Sequence, residues 1–517
     1  MKKSIFRPLF PYFFCVSIGV LIGMAIAFVN PGNNSLIGFF SGTLIGSLGV
    51  GLIWWIHRHV NGTRLLASAT TLTFLLRFTL GLALFLALPV WGYDEEPPQH
   101  GYLYMDAYRR DSDAWRLTQS ENSLISAFGE EFYTDQYGGL LSLSAAVYRL
   151  FSPDTHRPAL ILIFTALVSS LGVPFLWSAV RKRWNEKLAN LAIWIYALYP
   201  ESIILGSSQM REPFIIGLSA VTFWAVVEWQ ESRNKSIIGI LLSLTGISLF
   251  SSRAAAAIGA IVIVWFWLDN LLPVLGSKWQ KIGWIILGSA GGIAILFSLN
   301  WLINSARWDL YLVETSSGRI QFELDMIGQQ WRVPFIVGYG LLQPVLSAAI
   351  AYPGIPIMRA LAIFRAIGWY FLAPLLIFAF LSLWKLKPLQ DKRIFIWFTL
   401  MIAAWVFISS IRAGGDQWDN VRYRAILTTW MVFLGGWGIL RASTTKSPWL
   451  PRLFLIEIVF VLIFLYWYIV RYYGIFVRFY FRQVVLLDVV ISVLIISSGI
   501  LYDRYNKTNF HQLKPRK

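Results

Sequence analysis

The sequence predicts an all-α polytopic membrane protein, and three observations carry that prediction. Of 517 residues, 57% are hydrophobic and only 14% are charged, with a mean hydropathy of +0.60; soluble domains are about one quarter charged. The apolar residues fall in runs of roughly 17 to 25, the length a helix needs to cross the hydrocarbon core. Finally, if those runs cross the membrane alternately, all 14 lysines fall on one side, as the preference of cytoplasmic loops for basic residues requires.

Taken in order, the expected crossings are 8–29, 35–56, 65–92, 158–180, 188–206, 213–229, 236–251, 254–272, 282–304, 361–384, 394–412, 424–441, 453–471 and 483–502. That makes about 14 transmembrane helices with both termini cytoplasmic. The first run is too long for a signal-peptide core and lacks a convincing cleavage site, so it is expected to be retained. The Gly-rich run 335–351 is expected to be a re-entrant or surface helix. The basic segments HRHVNGTR, RKRWNEK, QESRNKS, SKWQK, KLKPLQDKR and RASTTKSPWLPR, with the basic tail, all lie on the lysine side. The net charge of +17 is therefore a topology signal rather than a nucleic-acid surface. The single cysteine, Cys15, excludes a disulfide framework, and the five histidines show no zinc spacing.

Two large loops, 93–157 and 305–360, then face the extracytoplasmic side. The first holds 11 of the 27 acidic residues and no lysine. Apart from histidine, its basic residues are all arginines, whose planar fork of donors suits phosphate and carboxylate. Three domains are expected: an N-terminal transmembrane hairpin (1–64), a catalytic module (65–441), and a C-terminal hairpin with the basic tail (442–517).

Four constellations could carry chemistry. In YMDAYRRDSDAWRLTQ, Asp111 and Trp115 are one helical turn apart and share a face, with Asp106 and Asp113 nearby; alternatively, Asp111 or Asp113 simply caps a surface helix. In FYTDQYGG, Asp135 and Tyr137 precede two glycines that permit close backbone approach, or the segment is only a helix start. In SSQMREPF, Arg211 and Glu212 are either a cavity pair or a plain interfacial one. In DQWDNVRYR, Arg422, Tyr423 and Arg424 stand at a helix mouth, where a lipid phosphate would sit, or where Arg and Tyr anchor an interface. Arg77, inside the third apolar run, needs a partner that the sequence does not name. Glu457 and Asp488 could pair with Arg471 or Arg482, or share a proton.

In their order along the chain, these pieces resemble the GT-C superfamily of membrane glycosyltransferases, in the branch of the protein O-mannosyltransferases and the lipid A aminoarabinose transferase. Asp111 with Trp115 matches the first-loop acid and aromatic of that branch. FYTDQYGGLLSLSAAVYRLF, through Asp135, resembles its second acidic segment, and LWSAVRKRWNEKLANLAIWIYALYPESII its basic turn and Ala-rich helix ending in Tyr-Pro. Glu212 and Arg422-Tyr423-Arg424 match its later acidic and Arg-Tyr turns. The likeness covers 65–250, and 394–441 more loosely. The chain departs from the branch at Asp111-Ser-Asp113, where an Asp-Glu pair is usual, and at Gln136 and Gly138-Gly139.

The resemblance implies a GT-C-like bundle in the cell membrane, such as a bacterial inner membrane. It implies transfer of a sugar from a polyprenyl-phosphate-linked donor to an acceptor hydroxyl on a glycan, lipid or protein, on the extracytoplasmic face. Asp111, Asp113 and Asp135 are the expected catalytic acids. Arg211, Arg422 and Arg424 are expected on the donor phosphate, with Asp106, Trp115, Tyr137, Glu212, Arg319 and Tyr423 lining the cavity. A divalent cation could bridge phosphate and acids; the sequence leaves this open. The rival readings are a lipid-linked oligosaccharide flippase, an O-antigen ligase or polymerase, and an inactive scaffold.

Overall fold

The computed structural model describes residues 10–132, 137–316, 324–326, 328–387 and 389–512. Asp135 and Arg319 lie outside these. The described residues are overwhelmingly helical and contain no strand. Among them, 11 helices are long and apolar enough to cross a membrane, or 12 if one bent pair counts as a single span. The expected crossing at 188–206 is that bent pair. Those at 213–229 and 236–251 form helices Glu212–Glu228, of 17 residues, and Arg233–Phe250, which opens on Arg-Asn-Lys.

The chain divides into two compact units, 1–277 with 424–433, and 278–423 with 434–517. In the first, α1 (Phe10–Val29) and α2 (Ser35–His59) pack along their lengths. Their glycines set the distance: a Cβ on Gly23 would meet the Phe39 carbonyl at 2.4 Å, and one on Gly42 would lie 3.0 Å from the Gly23 backbone. Small residues at such spacing are how membrane helices approach closely. Next come α3 (Arg64–Trp91), α4 (Met105–Gln119) and α5 (Gly139–Phe151). The long α6 (Ala159–Arg183), buried over most of its length, is central and packs against α3 and α9 (Glu212–Glu228).

Between α6 and α9 the chain breaks. α7 (Glu186–Leu198) and α8 (Pro200–Gly206) meet at an angle of 56°. Pro200 opens α8, where its missing N–H costs nothing, but the break strips the last carbonyls of α7 of their helical donors. Arg77 supplies them. It is completely buried. Its Nη2 donates to the Tyr196 carbonyl at 3.2 Å and to Ser202 Oγ at 2.8 Å. Its Nη1 donates to the carbonyls of Thr73 at 3.1 Å and Ala197 at 3.4 Å. The intramembrane arginine is thus the cap of a broken helix.

Arg157, also fully buried, does similar work at the turn that joins α5 to α6. Nη1 and Nη2 grip Asp154 at 2.6 and 3.0 Å. The same guanidinium donates to the carbonyls of Asn30, Pro31 and Asn34 in the α1–α2 loop. The N-terminal hairpin is fastened to the turn 152–158 by this side chain together with Asn33, whose backbone N–H and Nδ2 donate to Thr155 Oγ1 and the Asp154 carbonyl.

In the second unit, helix Ser277–Ser316 is followed by helices Gln329–Leu342 and Leu346–Ala351, so the expected second loop is helical over most of its described length. Helices Trp449–Tyr473 and Phe481–Gln512 are clasped by Arg452, which takes Asp503 through two bonds of 2.9 Å. Glu457 and Asp488 form no ion pair with the arginines expected for them: Arg482 donates to the Met326 carbonyl, and Arg471 lies over the Trp467 ring.

Candidate functional site

Asp111 does not cap a helix. α4 begins at Met105, so Asp111 stands in its middle. Ala107, Arg110, Asp111, Ala114 and Leu117 form the buried stripe of α4. Their spacing is that of an ordinary core face, yet two of the five are charged. Asp111 is only 2% exposed. A carboxylate there is costly unless its oxygens are bonded.

They are. The Tyr148 hydroxyl donates to Oδ1 at 2.6 Å, and the Tyr102 hydroxyl to Oδ2 at 2.6 Å. His156 Nε2 lies 2.8 Å from Oδ2. An ionised carboxylate only accepts, so Nε2 is the donor in that contact. Burial, and after it the Asp111 charge, pushes both tyrosine hydroxyls well above their ordinary range, so they stay protonated as donors. The His156 ring is stacked on Trp115 (centroids 5.3 Å apart, 21° between planes) and meets Tyr148 edge-on at 5.1 Å. Asp111 and Trp115, one turn apart on α4, therefore hold the same imidazole.

Four segments converge to build this cluster: α4, the loop before it that carries Tyr102, α5 and the turn 152–158. The Gly138-Gly139 pair sets the start of α5, and so the place of Tyr148. Gly138 has φ +70°, which disfavours a side chain, and a Cβ on Gly139 would lie 2.2 Å from the Leu249 carbonyl. The turn 152–158, held by Arg157, carries His156. Arg110 Nη1 donates to the Gln209 carbonyl at 3.4 Å, and Gln209 Nε2 donates to the Pro158 carbonyl at 2.9 Å. These two bonds tie α4, the 207–211 segment and the His156 turn together. Behind Tyr102, a cavity of about 20 Å³ touches Gly81, Phe85, Ala107 and Ser207–Gln209. It has room for about one water and none for a sugar.

The other expected residues are distributed as follows. Asp113 faces away from Asp111 and pairs with Arg116 at 2.9 Å. Asp106 is exposed in the first turn of α4. Arg211 lies over the Tyr137 ring at 5.0 Å, with Nε 4.0 Å from Glu212 Oε1. Glu212 is buried at the start of α9. In the second unit, the Tyr423 hydroxyl donates to Asp419 at 3.0 Å, and its ring carries Arg412 at 4.1 Å and Arg422 at 5.3 Å. Arg422 also pairs with Asp419 at 3.4 Å. Arg424 belongs to the first unit and is wholly buried.

Among the described residues, no three His, Cys, Asp or Glu side chains converge as a metal site. Sequence reading missed His156, Tyr102, Tyr148 and Gln209. A lone histidine in SPDTHRP carries no motif, and no local pattern singles out either tyrosine or the glutamine. No family model matches the chain, and no curated protein matches it in sequence.

Proposed function

We infer that the chain is a membrane glycosyltransferase. It moves a sugar from a polyprenyl-phosphate-linked donor to an acceptor hydroxyl on the extracytoplasmic face. The observation that carries this reading is Asp111. It is a buried carboxylate at mid-helix, held by two tyrosines and a half-exposed histidine, in the first long loop, where the ordered GT-C-like motifs place the reacting acid. A fold that needed only a helix stripe would put an apolar side chain at this position.

In such a transfer, the acceptor oxygen forms its bond to the anomeric carbon and loses its proton to a base. The bond from that carbon to the phosphate oxygen breaks, and the phosphate leaves with the electron pair. Arginines stabilise the charge it gains. Of the three expected there, the Arg211 side chain is 15% exposed against 5% for Arg422, while Arg424 is buried. Arg211 is therefore the one that a lipid phosphate would meet first.

The test is transfer from a panel of polyprenyl-phosphate sugars in membranes that hold wild type or Asp111→Asn at matched abundance. Transfer lost in the variant supports the reading. Equal transfer in both would end it, and lipid-linked sugar crossing the membrane unchanged would assign a flippase instead.

A further inference from the structure

Asp111 is poorly placed to take a proton itself. It is 2% exposed, and three donors already occupy its two oxygens. With the side chain 2% exposed, burial rather than saturation of its lone pairs keeps an acceptor hydroxyl from it. The cavity behind Tyr102 admits about one water and no sugar. The member of the cluster that does reach the surface is His156, with its side chain 27% exposed. Because Nε2 donates to Asp111, Nδ1 is the ring nitrogen left to accept. Trp115 and Tyr148 fix the ring plane from two sides, so Nδ1 keeps one direction.

We propose that His156 is the catalytic base and that Asp111 is a positioning residue, which sets the tautomer of His156 and steadies its charged form. This deepens the glycosyl-transfer reading and rests on it. As the acceptor oxygen bonds to the anomeric carbon and the phosphate leaves with its electron pair, the hydroxyl proton passes to Nδ1. The imidazolium so formed faces Asp111 Oδ2 at 2.8 Å, the same division of labour by which a buried carboxylate supports a histidine base elsewhere. The proton then returns to solvent through the exposed edge of the ring.

The titratable groups that face His156 are Asp111 from α4, Tyr102 from the loop before it and Tyr148 from α5. On its own turn, Asp154 and Arg157 pair with each other. Histidine is the side chain that ordinarily changes charge between about pH 5 and 8, and the two tyrosines stay protonated throughout that range.

The experiment has two arms on the purified full-length protein. In the first, transfer is followed between pH 5 and 8. Wild-type transfer is expected to fall as the pH is lowered. His156→Gln should lose about 10²–10⁴-fold, and its residual activity should no longer vary over this range; Asp111→Asn should be slow yet still show the fall. A folded His156→Gln variant that keeps the wild-type rate, or keeps the pH dependence, overturns the proposal.

The second arm needs no sugar. Diethyl pyrocarbonate acylates an accessible neutral imidazole nitrogen, and peptide mass spectrometry reads each site. His156 should be modified alongside His100, whose side chain is 48% exposed. A His156 left intact while His100 reacts overturns the proposal as well. A reactive His156 with no transfer from any donor would sink the glycosyl-transfer reading but not the accessibility of Nδ1, so the two failures are separable.

Discussion

Arg77 and Asp111 are both buried charges in the first unit, and the sequence marked both as anomalies. Arg77 is bonded to three carbonyls and one serine hydroxyl, groups that neither titrate nor move. Asp111 is bonded to two tyrosines and a histidine that reaches the surface. A buried charge satisfied by fixed backbone can only brace the fold. One satisfied by side chains that exchange protons can take part in chemistry. The difference lies in the partners rather than in the depth of burial, and substitution can break it from either side.

The largest effect is expected at Asp111. Asp111→Asn keeps the side-chain volume and an acceptor oxygen but forfeits the charge. Transfer should fall by about 10²–10⁴-fold, while abundance in the membrane stays near wild type. If abundance collapses in parallel with transfer, Asp111 is a brace like Arg77 and the contrast dissolves.

Arg77→Leu should show the reverse. The carbonyls of Tyr196 and Ala197 would be left in an apolar interior, and each charged hydrogen bond contributes about 1.5–3 kcal/mol. A loss of roughly 3 kcal/mol or more is expected, a large part of typical domain stability. It would be read as lower thermal stability and lower abundance, with transfer per folded molecule unchanged.

Tyr148→Phe sharpens the Asp111 side. Deleting one donor to a buried carboxylate should cost about 1–3 kcal/mol. Burial first, and the Asp111 charge second, raise the Tyr148 hydroxyl above its ordinary value of 10.0. A group with a raised folded value stabilises fully below its unfolded value, and that contribution is lost as pH rises through the folded one. Wild type should therefore lose stability above about pH 10, and Tyr148→Phe should lose less, as followed by thermal unfolding across alkaline pH.

Much of this molecule could be read from its residues. The membrane helices were legible because transfer energy acts on every residue of a run such as ALILIFTALVSSLGVPFLW, and the sum leaves little choice. Asp111 and Trp115 were legible as a pair because helical spacing is local. The imidazole they hold was not, since His156 lies 45 residues from Asp111 and reaches it only through the packing of α5 and the Arg157 clasp. Likewise, 188–206 reads as one continuous crossing although Tyr199-Pro200 lies within it, and backbone carbonyls have no sequence identity, so Arg77 could be flagged without a partner. The arginines at 422–424 show the opposite limit. Their local pattern suggested one phosphate grip, yet Arg422 stacks on Tyr423 and pairs with Asp419 while Arg424 is buried in the other unit.

The smallest effects should come from the remaining ion pairs of the first loop, and two of them test whether burial sets the scale. Asp113, itself 13% exposed, pairs with Arg116, which is 61% exposed and so well solvated. Asp113→Asn should change stability by less than about 1 kcal/mol and leave transfer intact. Asp154 pairs with the fully buried Arg157, whose hydrogen bonds hold its carboxyl below the ordinary value of 3.8. Stability from a depressed carboxylate is present above the unfolded value and lost as pH falls through the folded one. Wild type should therefore weaken below about pH 4 at the clasp between the N-terminal hairpin and the His156 turn. Asp154→Asn should flatten that acid limb, and Asp113→Asn should not. If both variants leave the acid limb of thermal unfolding untouched, the Arg157–Asp154 pair does not stabilise the clasp, and His156 owes its position to Asp111, Trp115 and Tyr148.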